Sequence, residues 1–126
     1  MDIRLKRAYD EAAPDDGFRA LIDGLWPRGV SREQAAIDAW LKELAPSPGL
    51  RRWFGHDPAH WRRFRSRYRS QLRSQARSRA LEQLAERARQ GPLTLIYAAR
   101  DTEHNNAVVV AELLRQRLEG EGKGRR

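Results

Sequence analysis

Apolar residues along this chain change their spacing several times, and each change marks an element. Leu93 to Ala99 is apolar on both faces except at Thr94, and it follows Gly91-Pro92, a pair that stops whatever precedes it. A short apolar run without alternation fits a strand covered on both sides, as in a parallel sheet. Polarity then switches at Arg100-Asp101. Beyond it Ala107, Val110, Ala111, Leu114 and Leu118 recur at helical spacing, with Val108 and Val109 widening the stripe. The segment therefore predicts strand, polar loop and helix, with Asp101 or Thr102 as the helix cap.

Asp2 to Tyr9 alternates, with Ile3, Leu5 and Arg7 on one side, which predicts a half-wet strand. Asp10 to Gly17 reads as a turn, and Phe18 to Trp26 as a second strand that Asp23 interrupts near its end. Ser31 with Gln34 has the form of a capping box. Ile37, Trp40, Leu41 and Leu44 after it fit a helix, or a short strand after one helical turn. Ser47-Pro48 opens a short helix closed by Gly55, and Asp57-Pro58 opens a long one. Its stripe is Trp61, Phe64, Tyr68 and Leu72, continued by Ala76, Ala80, Leu84 and Ala88. Steps of four drift around a straight helix, so a break is expected near Ser74–Ser78. The predicted class is α/β: a small single domain over residues 1–118, with a mostly parallel sheet of three or four strands packed by helices. Residues 119–126 are expected to form a flexible basic tail.

Composition narrows the chemistry. The 126 residues suffice for one core. There is no run apolar enough to span a membrane and no secretory signal, so neither is expected. Cysteine is absent, which removes disulfides, thiolate nucleophiles and cysteine metal sites and makes a reducing cytoplasm the expected location. The three histidines, His56, His60 and His104, do not suggest a metal site, and no cofactor is expected. The formal charge is +8, and the excess is local: residues 51–90 carry 12 arginines against three acids.

Within that segment Arg62, Arg65, Arg69 and Arg73 lie at helical steps in a row, flanked by Arg63 and Arg67, and no acid occurs between Asp57 and Glu82. Like charges at this spacing repel by a few tenths of a kcal/mol each, so an anion would relieve the row. The bland alternative is a solvated face in an Arg-rich protein. Elsewhere, Trp26-Pro27-Arg28-Gly29 is a rigid turn that holds an arginine beside an indole. Arg28 either pairs with Asp23 or binds two oxygens of a carboxylate or phosphate. Arg100 and Asp101 stand at the end of the buried strand, where open α/β sheets take ligands; alternatively they only pair and cap.

Several stretches together resemble the YeaO-like family, a domain of unknown function. They are Asp23-Gly-Leu-Trp-Pro-Arg-Gly29, Trp40-Leu-Lys-Glu-Leu-Ala-Pro-Ser47, Leu50-Arg-Arg-Trp-Phe-Gly-His-Asp57, Phe64 with Arg67-Tyr68, and Leu93 to Asn106. The resemblance implies a small cytoplasmic bacterial α/β protein and supplies no activity. In the family pattern an arginine directly follows the strand-end aspartate, where this chain has Gly24. If that arginine touches ligand, the contact here is lost or relocated. A related branch carries cysteines near the last strand and in a Cys-His-Arg motif. Here Tyr97, Ala98 and His104-Asn105 occupy that region, so thiol chemistry does not carry over.

Two functions follow as expectations. The first is a small anionic ligand at the C-terminal edge of the sheet, held by Asp23, Trp26, Arg28, Arg100, Asp101, His104 and Asn105. Were it an enzyme, Asp23 or Asp101 would be the general base and Arg28 or Arg100 would stabilise negative charge. The second is a nucleic-acid accessory protein using the arginine row, or a module that meets an acidic partner there. No nucleophile, metal-ligand set or phosphate-binding glycine loop names a reaction.

Overall fold

The computed structural model describes residues 2–124. Four strands form one all-parallel sheet: β1 (Ile3–Arg7), β2 (Phe18–Leu21), β3 (Ala39–Trp40) and β4 (Leu93–Tyr97), in the order β1-β4-β2-β3. β4 pairs with β1 in the register Leu95↔Leu5 and with β2 in the register Leu95↔Ala20. It lies between two neighbours and is buried at all five residues, which is why its run does not alternate.

Five α-helices cover the sheet: α1 (Arg32–Ala35), α2 (Pro48–Phe54), α3 (Trp61–Gln71), α4 (Gln75–Gln90) and α5 (Asn106–Gly124). The predicted caps are present. The Ser31 hydroxyl accepts from Gln34 N–H while the Gln34 side chain accepts from Ser31 N–H, and Ser47 Oγ accepts from Leu50 N–H. Asp57 caps a 3₁₀ turn, Pro58–His60, that leads into α3. α3 and α4 are separate helices, and Leu72, the end of the first stripe, stays buried at the break. Ala76 lies exposed, one step outside the stripe assigned to it, because α4 restarts with a new phase after the break. The core joins Phe54, Phe64, Tyr68 and Leu72 to Leu84 and Leu114 over the sheet. The buried Tyr68 hydroxyl donates to the Leu44 carbonyl.

Two element boundaries, the end of β2 and the start of α5, differ from the sequence reading. β2 ends at Leu21 rather than Trp26, because the chain turns out of the sheet after Ile22 N–H bonds the Ile96 carbonyl. Of the two readings left open for the segment after α1, the short strand after one helical turn is present: β3, followed by a 3₁₀ turn at Lys42–Leu44. α5 starts at Asn106, not at Asp101 or Thr102; its first turn is capped by Asn105, whose Oδ1 accepts from Val108 N–H. It continues to Gly124, beyond the Leu118 boundary of the expected tail. Arg125 and Arg126, the end of that tail, lie outside the described residues. No helix among the described residues is long and apolar enough to cross a membrane.

Candidate functional site

Beyond the C-terminal ends of β2 and β4 the two chains part. The gap is a cavity of about 590 Å³. Its walls come from the loop after β2, the loop after β4, and α2 with the turn that follows it. Trp26, Pro27, Pro46, Phe54 and Phe64 make much of the lining apolar. Asp23, Arg28, Arg51, His56, Arg100 and Asp101 bring charge or titratable groups to it.

Asp23 sits one residue past Ile22, where β2 has left the sheet. Its carboxylate spans the parting strands: Oδ2 accepts from Ala98 N–H at 2.9 Å and Oδ1 from Asn106 Nδ2 at 2.8 Å. Its carbonyl takes the Trp40 indole N–H at 2.7 Å. Burial pushes the Asp23 carboxyl up from its ordinary 3.8, and the bonds from Asn106 and Ala98 with the charges of Arg51 and His56 only partly offset this. The folded protein thus holds this proton more tightly than the unfolded chain. The group's contribution to stability is greatest in acid and declines as pH rises through the raised native value. Measured against Asp23→Asn, which does not titrate there, the unaltered protein should lose relative stability as pH rises from about 4, the unfolded carboxyl's value, through the raised native value. Urea denaturation across that range checks this, and a difference that stays flat would refute the raised carboxyl.

The turn predicted around Arg28 is present. Val30 N–H bonds the Pro27 carbonyl at 3.4 Å, and Gly29 has φ 80°. Trp26 is fixed by its indole N–H to the Val30 carbonyl at 2.7 Å and by an edge-on contact with Trp40 at 5.5 Å. Arg28 is exposed at the cavity and does not pair with Asp23. Arg100 is likewise exposed and lines the same cavity. Neither guanidinium has an ion pair or hydrogen bond among the described residues.

Asp101 is committed locally. Oδ1 accepts from Glu103 N–H at 2.9 Å and His104 N–H at 3.0 Å, and Oδ2 meets His104 Nδ1 at 2.9 Å. The Glu103 and His104 bonds hold its carboxyl below the ordinary value. His104 faces Trp61 edge-on at 5.3 Å and is not among the residues lining the cavity. Asn105 lines it but is buried, with Nδ2 donating to the Asp101 carbonyl and Oδ1 capping α5.

Three cavity residues were not singled out by sequence reasoning. Arg51 projects from α2, His56 follows it in the turn, and Asn106 opens α5 beside Asp23. The available signal was a capped helix followed by Gly55-His56, a pair that adopts left-handed backbone at both positions, with φ 54° and 57°. Such a conformation is uncommon for a side-chain-bearing residue. Gly24 now has a local explanation: a Cβ there would stand 3.3 Å from Arg51 Nη1 and 3.3 Å from Ala45 Cβ. The Arg51 guanidinium occupies the space beside position 24.

The arginine row is partly neutralised across helices. Glu112 of α5 takes Arg65 Nη2 at 2.6 Å and Arg69 Nη1 at 3.2 Å, and Arg69 also donates to Gln116. Arg67 lies over the Trp53 ring. Arg62 and Arg73 are exposed. The acids missing from α3 itself are supplied by α5. Among the described residues no group of three or more His, Asp and Glu side chains is placed to hold a metal ion.

A parallel α/β domain with its cavity at the strand ends is the class this geometry defines. Residues 2–126 match the family model described as the inactive DUF488-N3 subclade, and the chain belongs to that family. It is 41% identical over 115 residues to the uncharacterized protein YeaO of Escherichia coli K12, covering 91% of this chain and 98% of the relative. It is 36% identical to the uncharacterized protein Rv3073c of Mycobacterium tuberculosis H37Rv, with 91% and 95% covered. The uncharacterized protein Mb3100c of Mycobacterium bovis matches to the same extent. No solved structure matches significantly.

Proposed function

We propose that this protein binds a small molecule carrying a phosphate or carboxylate, in the cavity at the C-terminal edge of the sheet. The observation that carries this reading is the meeting of Arg28 and Arg100. They come from loops far apart in sequence, line one cavity, and have no partner among the described residues. Guanidinium forks in a partly apolar recess bind oxyanions more strongly than the same groups in open water. The family model's description as inactive favours binding over turnover. So does Asp101, a candidate base whose carboxylate is already spent on a loop turn and His104. The arginine row supports a nucleic-acid role less, since Arg65 and Arg69 have an internal counter-ion.

Thermal-shift screening of phosphates, carboxylates and nucleotides tests the reading. A ligand at a hundredfold excess over its Kd raises the melting temperature of a domain this size by about 10 °C. Arg28→Ala/Arg100→Ala should fold normally, because both side chains are exposed, and should lose most of that rise. A double variant that responds to the hit as the unaltered protein does would remove this site.

A further inference from the structure

We propose that the ligand of this cavity is amphoteric, with a protonated nitrogen that binds Asp23 and an anionic group that meets Arg28 and Arg100. This rests on the anion-binding reading above and adds the second half of the ligand. A carboxylate offers about four acceptor positions. Two at Asp23 are used, by Ala98 N–H and Asn106 Nδ2. Both donors are neutral, and no cation comes within ion-pairing distance of Asp23 among the described residues. The group is partly buried yet borders the cavity. Arg51 and His56 line the same cavity and act on Asp23 through space without bonding it. A carboxylate withdrawn from water with no directly bonded cation is unfavourable, and a ligand ammonium or other charged N–H donor supplies that bond.

Asp16, whose carboxylate pairs with the buried Arg19, shows the contrast. It is satisfied from within by Lys6 and Arg19 and has no role left for a ligand. At the cavity the charges are arranged oppositely: the carboxylate lies at the parted strand ends, and the unpartnered guanidiniums are exposed. The same lining includes Trp26, Phe54 and Phe64, which suit an apolar or aromatic body. The class that satisfies all three parts is an amino-bearing carboxylate or phosphonate with an apolar side group, as in an aromatic amino acid.

Calorimetric titration of the full chain uses probes with one shared body. They are L-phenylalanine, its phosphonate analogue, hydrocinnamate and phenethylphosphonate, which lack the amine, and phenethylamine, which lacks the acid. Losing one charged hydrogen bond weakens binding by about tenfold to a hundredfold. An amine-bearing acid should therefore bind at least that much more tightly than its amine-free counterpart, and phenethylamine should also bind more weakly. Asp23→Asn should abolish the preference for the amine. The comparison among probes in the unaltered protein stands even if that variant folds poorly. If hydrocinnamate or phenethylphosphonate binds as well as its amine-bearing counterpart, the role of Asp23 falls and the anion site survives. If none of the five binds, the amphoteric class is wrong, and the anion site is then judged by its own screen.

Discussion

Gly17→Ala destabilises this protein by roughly 4 kcal/mol, the sum expected for backbone strain, a lost ladder bond and displaced packing. Gly17 has φ 66° and ψ −135°, a region that disfavours any residue with a side chain. A Cβ there would stand 2.2 Å from the Pro92 carbonyl oxygen and 2.8 Å from Pro92 C and Cβ. That oxygen accepts the first β2–β4 bond, from Phe18 N–H at 3.0 Å. Neither side can yield cheaply. The turn before Gly17 is held by Asp16, whose backbone carbonyl takes Thr94 Oγ1 at 2.7 Å, and Pro92 has a fixed φ. Relieving the clash means detaching the start of β2 from the central strand. Gly49→Ala is the matched control. Nothing lies within 4 Å of a Cβ at that helical position, and alanine there should stabilise by about 0.5–1 kcal/mol. Urea denaturation of both variants reads the contrast. A Gly17→Ala protein within 1 kcal/mol of the parent would overturn the close approach of the two strands.

Local signals in the sequence were legible where the physics is local. A hydroxyl three residues before an exposed amide, or proline at a first helical position, needs no tertiary partner, and the caps at Ser31, Ser47 and Asp57 are all present. The central strand was legible because burial on both faces leaves no polar position to alternate. Long-range choices were not. Phe18 to Trp26 reads as one strand interrupted at Asp23, but the sheet releases it before that residue, whose carboxylate bridges the ends of two strands. Asp101 has the form of a helix cap and caps a loop turn instead, because Asn105 takes the cap of α5. The bareness of the arginine row dissolves only when α5 packs beside α3 and lends it Glu112. At the site, Arg28 and Arg100 were readable from a rigid turn and a strand end. Arg51 and His56 were not, since their approach to Asp23 depends on how α2 folds over the cavity.

Arg19 is the largest such omission, and Arg19→Met is expected to cost about 3–5 kcal/mol, the range for stripping a buried charge of its partner. Only 4% of Arg19 is exposed, and 4% of Asp16. Arg19 Nη1 binds Asp16 Oδ2, while Nε and Nη2 reach the Ala35 carbonyl at 3.1 and 2.8 Å. One side chain thus closes the end of α1 and neutralises the turn before β2. Methionine keeps the bulk but leaves Ala35 O without these donors and Asp16 with Lys6 as its remaining cation. That lysine places the loss toward the lower end of the range. Burial pushes the Asp16 carboxyl up, yet the bonds from Ala13 N–H, Lys6 and Arg19 outweigh it and hold the group below 3.8. A depressed native value means stability present at neutral pH and lost as pH falls through that value. The gap between the unaltered protein and Arg19→Met should therefore be widest at neutral pH and narrow below about pH 4. Asp16→Asn/Arg19→Met should lose less than the two single changes added together, because each removes the other's partner. If the single losses simply add, the buried pair is not the unit that holds β2 to α1.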